Sequence, residues 1–202
     1  MKNKGLLVIL SGPSGSGKGT ICKELLKRDD FTLSISATTR NPRNGEINGK
    51  SYYFLSREEF MDRIYENEFL EYAEVYGNYY GTPKKMVMDT LNSGMNVLLE
   101  IDIQGALNVK DIYKEAVMIF IAPPSMEELK NRIVGRNSET EESLNIRFQS
   151  AYEELKYVPQ YDYLVKNNNL EDAVADVGAI LRAENLRVSM QENFYEELTG
   201  GI

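Results

Sequence analysis

The sequence predicts an α/β fold, a parallel sheet of about five strands flanked by helices, with an inserted mixed α+β region and a helical lid. Three observations lead there. Nearly unbroken apolar runs recur at Leu6-Leu7-Val8-Ile9-Leu10, Val97-Leu98-Leu99 and Val117-Met118-Ile119-Phe120-Ile121, as in strands buried on both faces of a parallel sheet. Helical patterns separate these runs, as right-handed crossovers require. The first run opens into Gly12-Pro13-Ser14-Gly15-Ser16-Gly17-Lys18-Gly19-Thr20, and Ile21, Cys22, Leu25 and Leu26 then recur at helical spacing.

After that first helix, Asp29-Asp30 marks a break, and Thr32-Leu33-Ser34-Ile35-Ser36-Ala37 alternates as one second strand. A stretch rich in turn formers follows, from Thr38 to Lys50. Short β segments are expected around Tyr52-Tyr53-Phe54 and from Phe69 to Val75. Between them Ser56 and Glu59 form a capping box for a short helix with Phe60 and Ile64 on one face. Gly77-Asn78-Tyr79-Tyr80-Gly81 reads as a turn. Thr82-Pro83 reads as the N-cap and first residue of a helix that Gly94 ends. Asn96 to Asp102 is a buried strand ending in carboxylates. Ser125 caps the helix after the Val117 strand, and a polar stretch occupies residues 136–147. Tyr163-Leu164-Val165 is the last strand, a helix spans about Leu170 to Met190, and the final residues are a frayed tail.

The 202 residues fit one domain with insertions. The formal charge of −8 disfavours general nucleic-acid binding, so cations that serve a phosphate ligand must be clustered. With no histidine, His-based acid–base chemistry and His-ligated metal are excluded. The single cysteine, Cys22, forms no internal disulfide, which fits a reducing compartment. No signal peptide or long apolar segment is seen, so a cytoplasmic protein with no membrane partner is expected.

The strand, glycine-rich loop and helix together make the context of a phosphate-binding loop, in a sheet of the P-loop NTPase type. Glycines let backbone N–H groups turn toward phosphate oxygens, and the helix N-terminus adds partial positive charge. A flexible Gly/Ser turn is the alternative; the strand, Lys18 and the helix favour phosphate. Gly19 stands where a Ser or Thr hydroxyl commonly ligates Mg²⁺. No direct protein ligand to the metal is therefore expected. Nucleotide and water would hold it, with Thr20 or Glu100 acting through water.

Other clusters carry chemistry. Arg40 and Arg43 offer guanidinium forks to a phosphate, with Tyr52 and Tyr80 as hydroxyl donors; the alternative is a solvated cationic loop. Glu71 can accept the adjacent N1–H and 2-amino donors of guanine, which adenine lacks. Thr82 and Ser36 can donate to O6 or N7, unless Thr82 is only a helix cap. Glu100 and Asp102 share a face at strand spacing: one would hold Mg²⁺ through water and the other would meet the acceptor nucleotide, or they cap the next helix. Arg132, Arg136 and Arg147 form either surface salt bridges or a mobile lid that neutralises a transferring phosphoryl group. Met86, Met88 and Met118 read as core.

Taken together, the loop at Gly12, Ser36 to Arg43, Gly45 to Lys50, Gly77 to Thr82, Ile121 to Ser125 and Arg136 to Glu142 resemble the guanylate kinase family in order and spacing, across about residues 5–185. The resemblance implies Mg²⁺-dependent phosphoryl transfer from ATP to GMP. It implies a core (residues 1–35, 83–125 and 157–202), a GMP-binding region (36–82) and a lid (126–156). It places Arg40, Arg43, Tyr52 and Tyr80 on the GMP phosphate, Ser36, Glu71 and Thr82 at guanine, and Asp102, with Glu100 beside it, on the acceptor side. Gly12 to Thr20 would hold the ATP phosphates. Lys18, Arg40, Arg136 and Arg147 would serve the transferring group, Arg132 would lie near ATP, and Asn167 near adenine. Asn168, Asn169 and Gly19 depart from the family pattern. Two rivals remain: a kinase for another nucleoside monophosphate, and a non-catalytic guanylate-kinase-like module that binds phosphopeptides.

Overall fold

Strand β1 (Leu7–Ser11) lies at the centre of a five-stranded sheet of order β2-β7-β1-β8-β9. The computed structural model describes residues 4–75, 77–134, 141–191 and 194–200, with backbone alone for 141–147 and 195–197. The other strands of this sheet are β2 (Phe31–Leu33), β7 (Asn96–Glu100), β8 (Val117–Ala122) and β9 (Tyr163–Lys166), and every pairing is parallel. Because β7 and β8 flank β1 on opposite sides, the strand order reverses at the end of β1. That is the crevice where open parallel sheets bind ligands.

The residues of β1 alternate between two cores, as strand geometry dictates. Val8 and Leu10 pack with Ile21 and Leu25 of α1 (Lys18–Leu25), and with Val177 and Leu181 of the later helix Leu170–Asn185. On the other face Leu7 and Ile9 meet Val87 and Leu91 of the helix Lys84–Asn92, and Ala106 and Val109 of the helix Ile103–Ile112. Two covered faces explain why these strands are apolar throughout.

A second sheet, of order β4-β3-β6-β5, is inserted between β2 and β7. It contains β3 (Ala37–Thr38), β4 (Tyr53–Phe54), β5 (Phe69–Val75) and β6 (Asn78–Pro83), with helix α2 (Arg57–Tyr65) against it. The Ser56 and Glu59 capping box is complete in both directions. Phe60 of α2 is fully buried and stacks on Phe69 at 4.5 Å and on Tyr79 at 5.5 Å. The remaining helices are α3 (Lys84–Asn92), α4 (Ile103–Ile112), α5 (Met126–Val134), α6 (Glu141–Leu155), α7 (Leu170–Asn185) and α8 (Phe194–Thr199). Among the described residues no helix is long and apolar enough to cross a membrane.

Several local expectations are corrected. The alternating run from Thr32 to Ala37 is two strands in two sheets: the Ser34 N–H still bonds to Leu98 of the parallel sheet, and the chain then leaves for the second sheet. The segment from Asn78 to Gly81 is strand, not turn. It pairs with β5, and the chain reverses at Gly77, whose φ of 75° suits glycine. Pro83, not Thr82, sits at the N-cap of α3, because the Thr82 hydroxyl is committed elsewhere. Strand β7 ends at Glu100, and Asp102 caps α4 by accepting the Gly105 N–H at 3.0 Å. Helix α7 stops at Asn185, followed by a 3₁₀ turn at Val188–Met190 and a further helix, α8, ahead of the terminal residues.

Candidate active site

The loop from Gly12 to Gly17 leaves β1 and enters α1 at the crevice. Gly12 and Gly17 have φ values of 137° and 96°, and a β-carbon on Gly17 would fall 2.1 Å from the Asn167 amide nitrogen. Only glycine satisfies both the conformation and the approach. The Lys18 ammonium donates to the Gly12 and Pro13 carbonyls at 2.5 and 3.0 Å, which holds it across the loop opening. Ser14 and Thr20 are exposed, whereas Ser16 is buried and its hydroxyl has no hydrogen-bond partner among the described residues. Gly15 lies under α5, its would-be β-carbon 3.1 Å from Ile133 and 3.2 Å from Leu129. A β-carbon on Gly19 would lie 3.2 and 3.4 Å from the two Glu100 carboxylate oxygens, so an acid stands where the missing hydroxyl would have pointed. Glu100 also adjoins Cys22, whose thiol is pushed up first by burial and then by Glu100.

The second sheet gathers the cationic and aromatic residues. Arg40 pairs with Glu46 at 2.9 Å and donates to the Asn41 carbonyl at 2.6 Å. Its guanidinium lies 5.5 Å from the Tyr52 ring centre and 5.8 Å from that of Phe54. Tyr52 meets Tyr80 edge-on at 6.0 Å. Glu46 first, with Tyr80 adding, makes the Arg40 charge harder to remove. Burial, then Tyr80 and Glu100, push the Tyr52 hydroxyl up. Arg43 is exposed, and its backbone N–H donates to Glu46 at 2.6 Å. Ser36 is half-buried at the approach to β3, and its carbonyl accepts the Tyr53 N–H.

At the other end of this sheet Glu71 is only 6% exposed and accepts the Thr82 hydroxyl at 2.7 Å. The register shifts between Phe69 and Glu71, so that Glu71 stands opposite Thr82. This bulge buries Leu70 and Glu71 in succession. Leu70 joins the apolar core beside α3 and α4, while Glu71 turns to Thr82. Burial first, with Asp102 adding and Thr82 opposing, raises the Glu71 carboxyl to about 7. A β-carbon on Gly105 would lie 3.0 Å from the second Glu71 oxygen, so α4 closes over the acid where it has no side chain.

On the far side of the loop, Arg132 of α5 donates to Glu128 at 2.9 Å and to the Asn167 carbonyl at 3.2 Å. Asn167, at the end of β9, donates its side-chain amide to the Ser16 carbonyl at 2.8 Å. Arg136 lies outside the described residues, as does the side chain of Arg147 on α6. The structure therefore brings together Lys18, Gly19 and Glu100 on one side, Arg40, Tyr52 and Tyr80 on a second, and Glu71, Thr82 and Asp102 on a third. Among the described residues no group of three or more His, Cys, Asp or Glu side chains is arranged to hold a metal ion.

The family model for guanylate kinase matches residues 4–184. The chain belongs to the guanylate kinase family. The guanylate kinase of Clostridium tetani is 63% identical over 185 residues, which cover 92% of this chain and 89% of that one. That of Clostridium acetobutylicum is 59% identical over 203 residues, covering 100% and 97%. The crystal structure of guanylate kinase from Anaplasma phagocytophilum superposes with a TM-score of 0.82 at 35% identity, covering 100% of this chain and 98% of that one.

Four residues near this guanylate kinase cleft escape a reading of the sequence. Glu46 joins the Arg40 guanidinium to the Arg43 backbone. Gly105 admits the Glu71 carboxylate. Glu154 of α6 is largely buried; burial raises its carboxyl, Lys18 opposes and Asp102 adds. Tyr161 packs edge-on against Phe120 at 5.1 Å; burial first pushes its hydroxyl up, with Ser11 opposing. Only Glu46 carried a local signal, as the one acid among the cations of its loop; the others depend on contacts across the fold.

Proposed function

We propose that the protein transfers the γ-phosphoryl group of ATP to GMP, giving ADP and GDP, with Mg²⁺ accompanying the nucleotide. The observation that carries this reading is the buried Glu71–Thr82 pair in the sheet that also holds Arg40, Tyr52 and Tyr80. An acid and a hydroxyl at one end suit guanine; a guanidinium with phenols at the other suits a phosphate.

The residues divide by role. The loop from Gly12 to Thr20 and Lys18 hold the ATP phosphates, and Lys18 exchanges loop carbonyls for phosphate oxygens. Arg40, Arg43, Tyr52 and Tyr80 hold the GMP phosphate. Ser36, Glu71 and Thr82 read guanine, with Asp102 beside them. Arg132, Arg136 and Arg147 act from the donor side. Residues 126–156 form the lid, 36–82 the GMP-binding region, and 1–35, 83–125 and 157–202 the core.

The accepting GMP phosphate oxygen is already anionic, so no strong general base is needed. Catalysis is alignment and charge neutralisation. Lid closure excludes water that would otherwise accept the phosphoryl group. The Glu100 carboxylate against Gly19 suits the water shell of a Mg²⁺ carried by the nucleotide. When bound, the ion neutralises β- and γ-phosphate oxygens. A lone buried cysteine fits work in the cytoplasm.

The test is initial rates of coupled ADP release with ATP against GMP, AMP, UMP and dTMP. GMP should be preferred by orders of magnitude; no GDP from GMP, or equal rates with AMP, would remove the proposal.

A further inference from the structure

We infer that Asn167 is a positioning residue for the phosphate loop, acting through the Ser16 carbonyl. The inference rests on the reading that this loop binds the donor's phosphates. Asn167 is 7% exposed, and its side-chain amide donates to Ser16 across 151 residues of sequence. The next residue, Gly17, holds a φ of 96° and opens α1, so the orientation of the Ser16–Gly17 peptide sets where the following N–H groups point. The Asn167 amide nitrogen also fills the place where a β-carbon on Gly17 would stand. The side chain is thus seated between loop and sheet.

Asn167 is itself held. Its backbone N–H donates to the Ala122 carbonyl at 2.8 Å, extending the pairing of β9 with β8 beyond Lys166. Its carbonyl accepts Arg132 from α5, and α5 also packs Leu129 and Ile133 over Gly15. The loop is therefore braced from two sides by elements far from it in sequence, with Asn167 joining both. Phosphate-binding loops act by preorganised N–H donors, and a brace on one peptide preserves that order when phosphate is absent. The bond to Ser16 fixes the orientation of the Asn167 amide, one of its two N–H donors being spent on the loop.

The discriminating variant is Asn167→Asp, which keeps the shape but removes the N–H donors and faces an oxygen to the Ser16 carbonyl. Loss of a buried hydrogen bond of this kind predicts that KM for ATP rises roughly 10- to 100-fold and kcat falls, with KM for GMP unchanged. The base-free probe is inorganic tripolyphosphate with Mg²⁺, assayed as an inhibitor competitive with ATP. Its inhibition constant should rise by the same factor as KM for ATP. A tripolyphosphate constant unchanged while that for ATP rises would assign Asn167 to adenine and overturn the inference, as would wild-type kinetics in the variant. Should Asn167→Asp not fold, Asn167→Ser, neutral and too short to reach Ser16, gives the same two readouts. Failure of the underlying reading looks different: the unaltered protein would then not phosphorylate GMP, or would not be inhibited by tripolyphosphate.

Discussion

Thr82 donates its hydroxyl to Glu71 at 2.7 Å, and both residues are buried. The hydrogen bond partly offsets the cost of desolvating the acid, yet burial still raises its carboxyl to about 7. The Glu71 end of the cleft is therefore poised to change charge near neutral pH.

This has a consequence for stability and another for binding. Between its unfolded value of 4.5 and about 7, the folded protein carries a proton on Glu71 that the unfolded chain lacks. The contribution of this group is fully present below about pH 4.5 and is lost as pH rises through about 7. Thermal unfolding of the wild type should show this decline against Glu71→Gln, which lacks it. Guanine needs the ionised acceptor, so raising pH from about 6 to about 8 should lower KM for GMP by up to tenfold. KM for ATP should not follow, and Glu71→Gln should flatten the GMP profile.

Glu71→Ala removes the acceptor for both guanine donors. Selectivity for GMP over AMP should fall by about two orders of magnitude, mostly through GMP, because a buried site built for hydrogen bonds discriminates strongly. Competition kinetics with the two acceptors measures it; unchanged selectivity would take Glu71 out of base recognition.

Gly105→Ala tests the closeness of α4 to the acid. Alanine favours a helix interior by about 1 kcal/mol, while crowding a packed site costs about 1–3 kcal/mol. With the new carbon 3.0 Å from Glu71 the second effect governs the site. Global stability should change little, and KM for GMP should rise about tenfold with KM for ATP unchanged.

Arg40 is held by Glu46 and lies beside the rings of Tyr52 and Phe54. Arg40→Ala should raise KM for GMP roughly 10- to 100-fold, as expected for lost charge-assisted hydrogen bonds, and should also lower kcat. Wild-type kinetics would remove Arg40 from the acceptor site.

Lys18→Ala should lower kcat by about 10²–10³, the effect of deleting one preorganised stabiliser of transition-state charge. GMP binding, measured by calorimetry without ATP, should persist. Loss of GMP binding in this variant would show instead that the loop supports the whole cleft.

Short-range physics made much of the protein legible in the sequence. The phosphate loop follows from its own glycines, from the strand before it and from the helix it starts. The capping box at Ser56 and Glu59 formed as the residues dictate. The parallel sheet was readable because strands covered on both faces must be apolar throughout. Of the four residues expected on one phosphate, Arg40 and Tyr80 both lie against Tyr52, while Arg43 is exposed.

What the tertiary structure alone decided are relationships between distant segments. Alternation between Thr32 and Ala37 reports strand character but not which sheet receives each half. The bulge that sets Glu71 against Thr82 arises because β5 must satisfy the core beside α3 and α4 and its partner β6 together. The bond from Asn167 to Ser16 spans 151 residues and is selected by packing. Local propensity acts over a few residues, whereas burial and hydrogen-bond satisfaction act on whatever the fold brings together. The loop's glycines and lysine were therefore written locally, and the contacts that brace the loop and set Glu71 against Thr82 were decided by the assembled sheets.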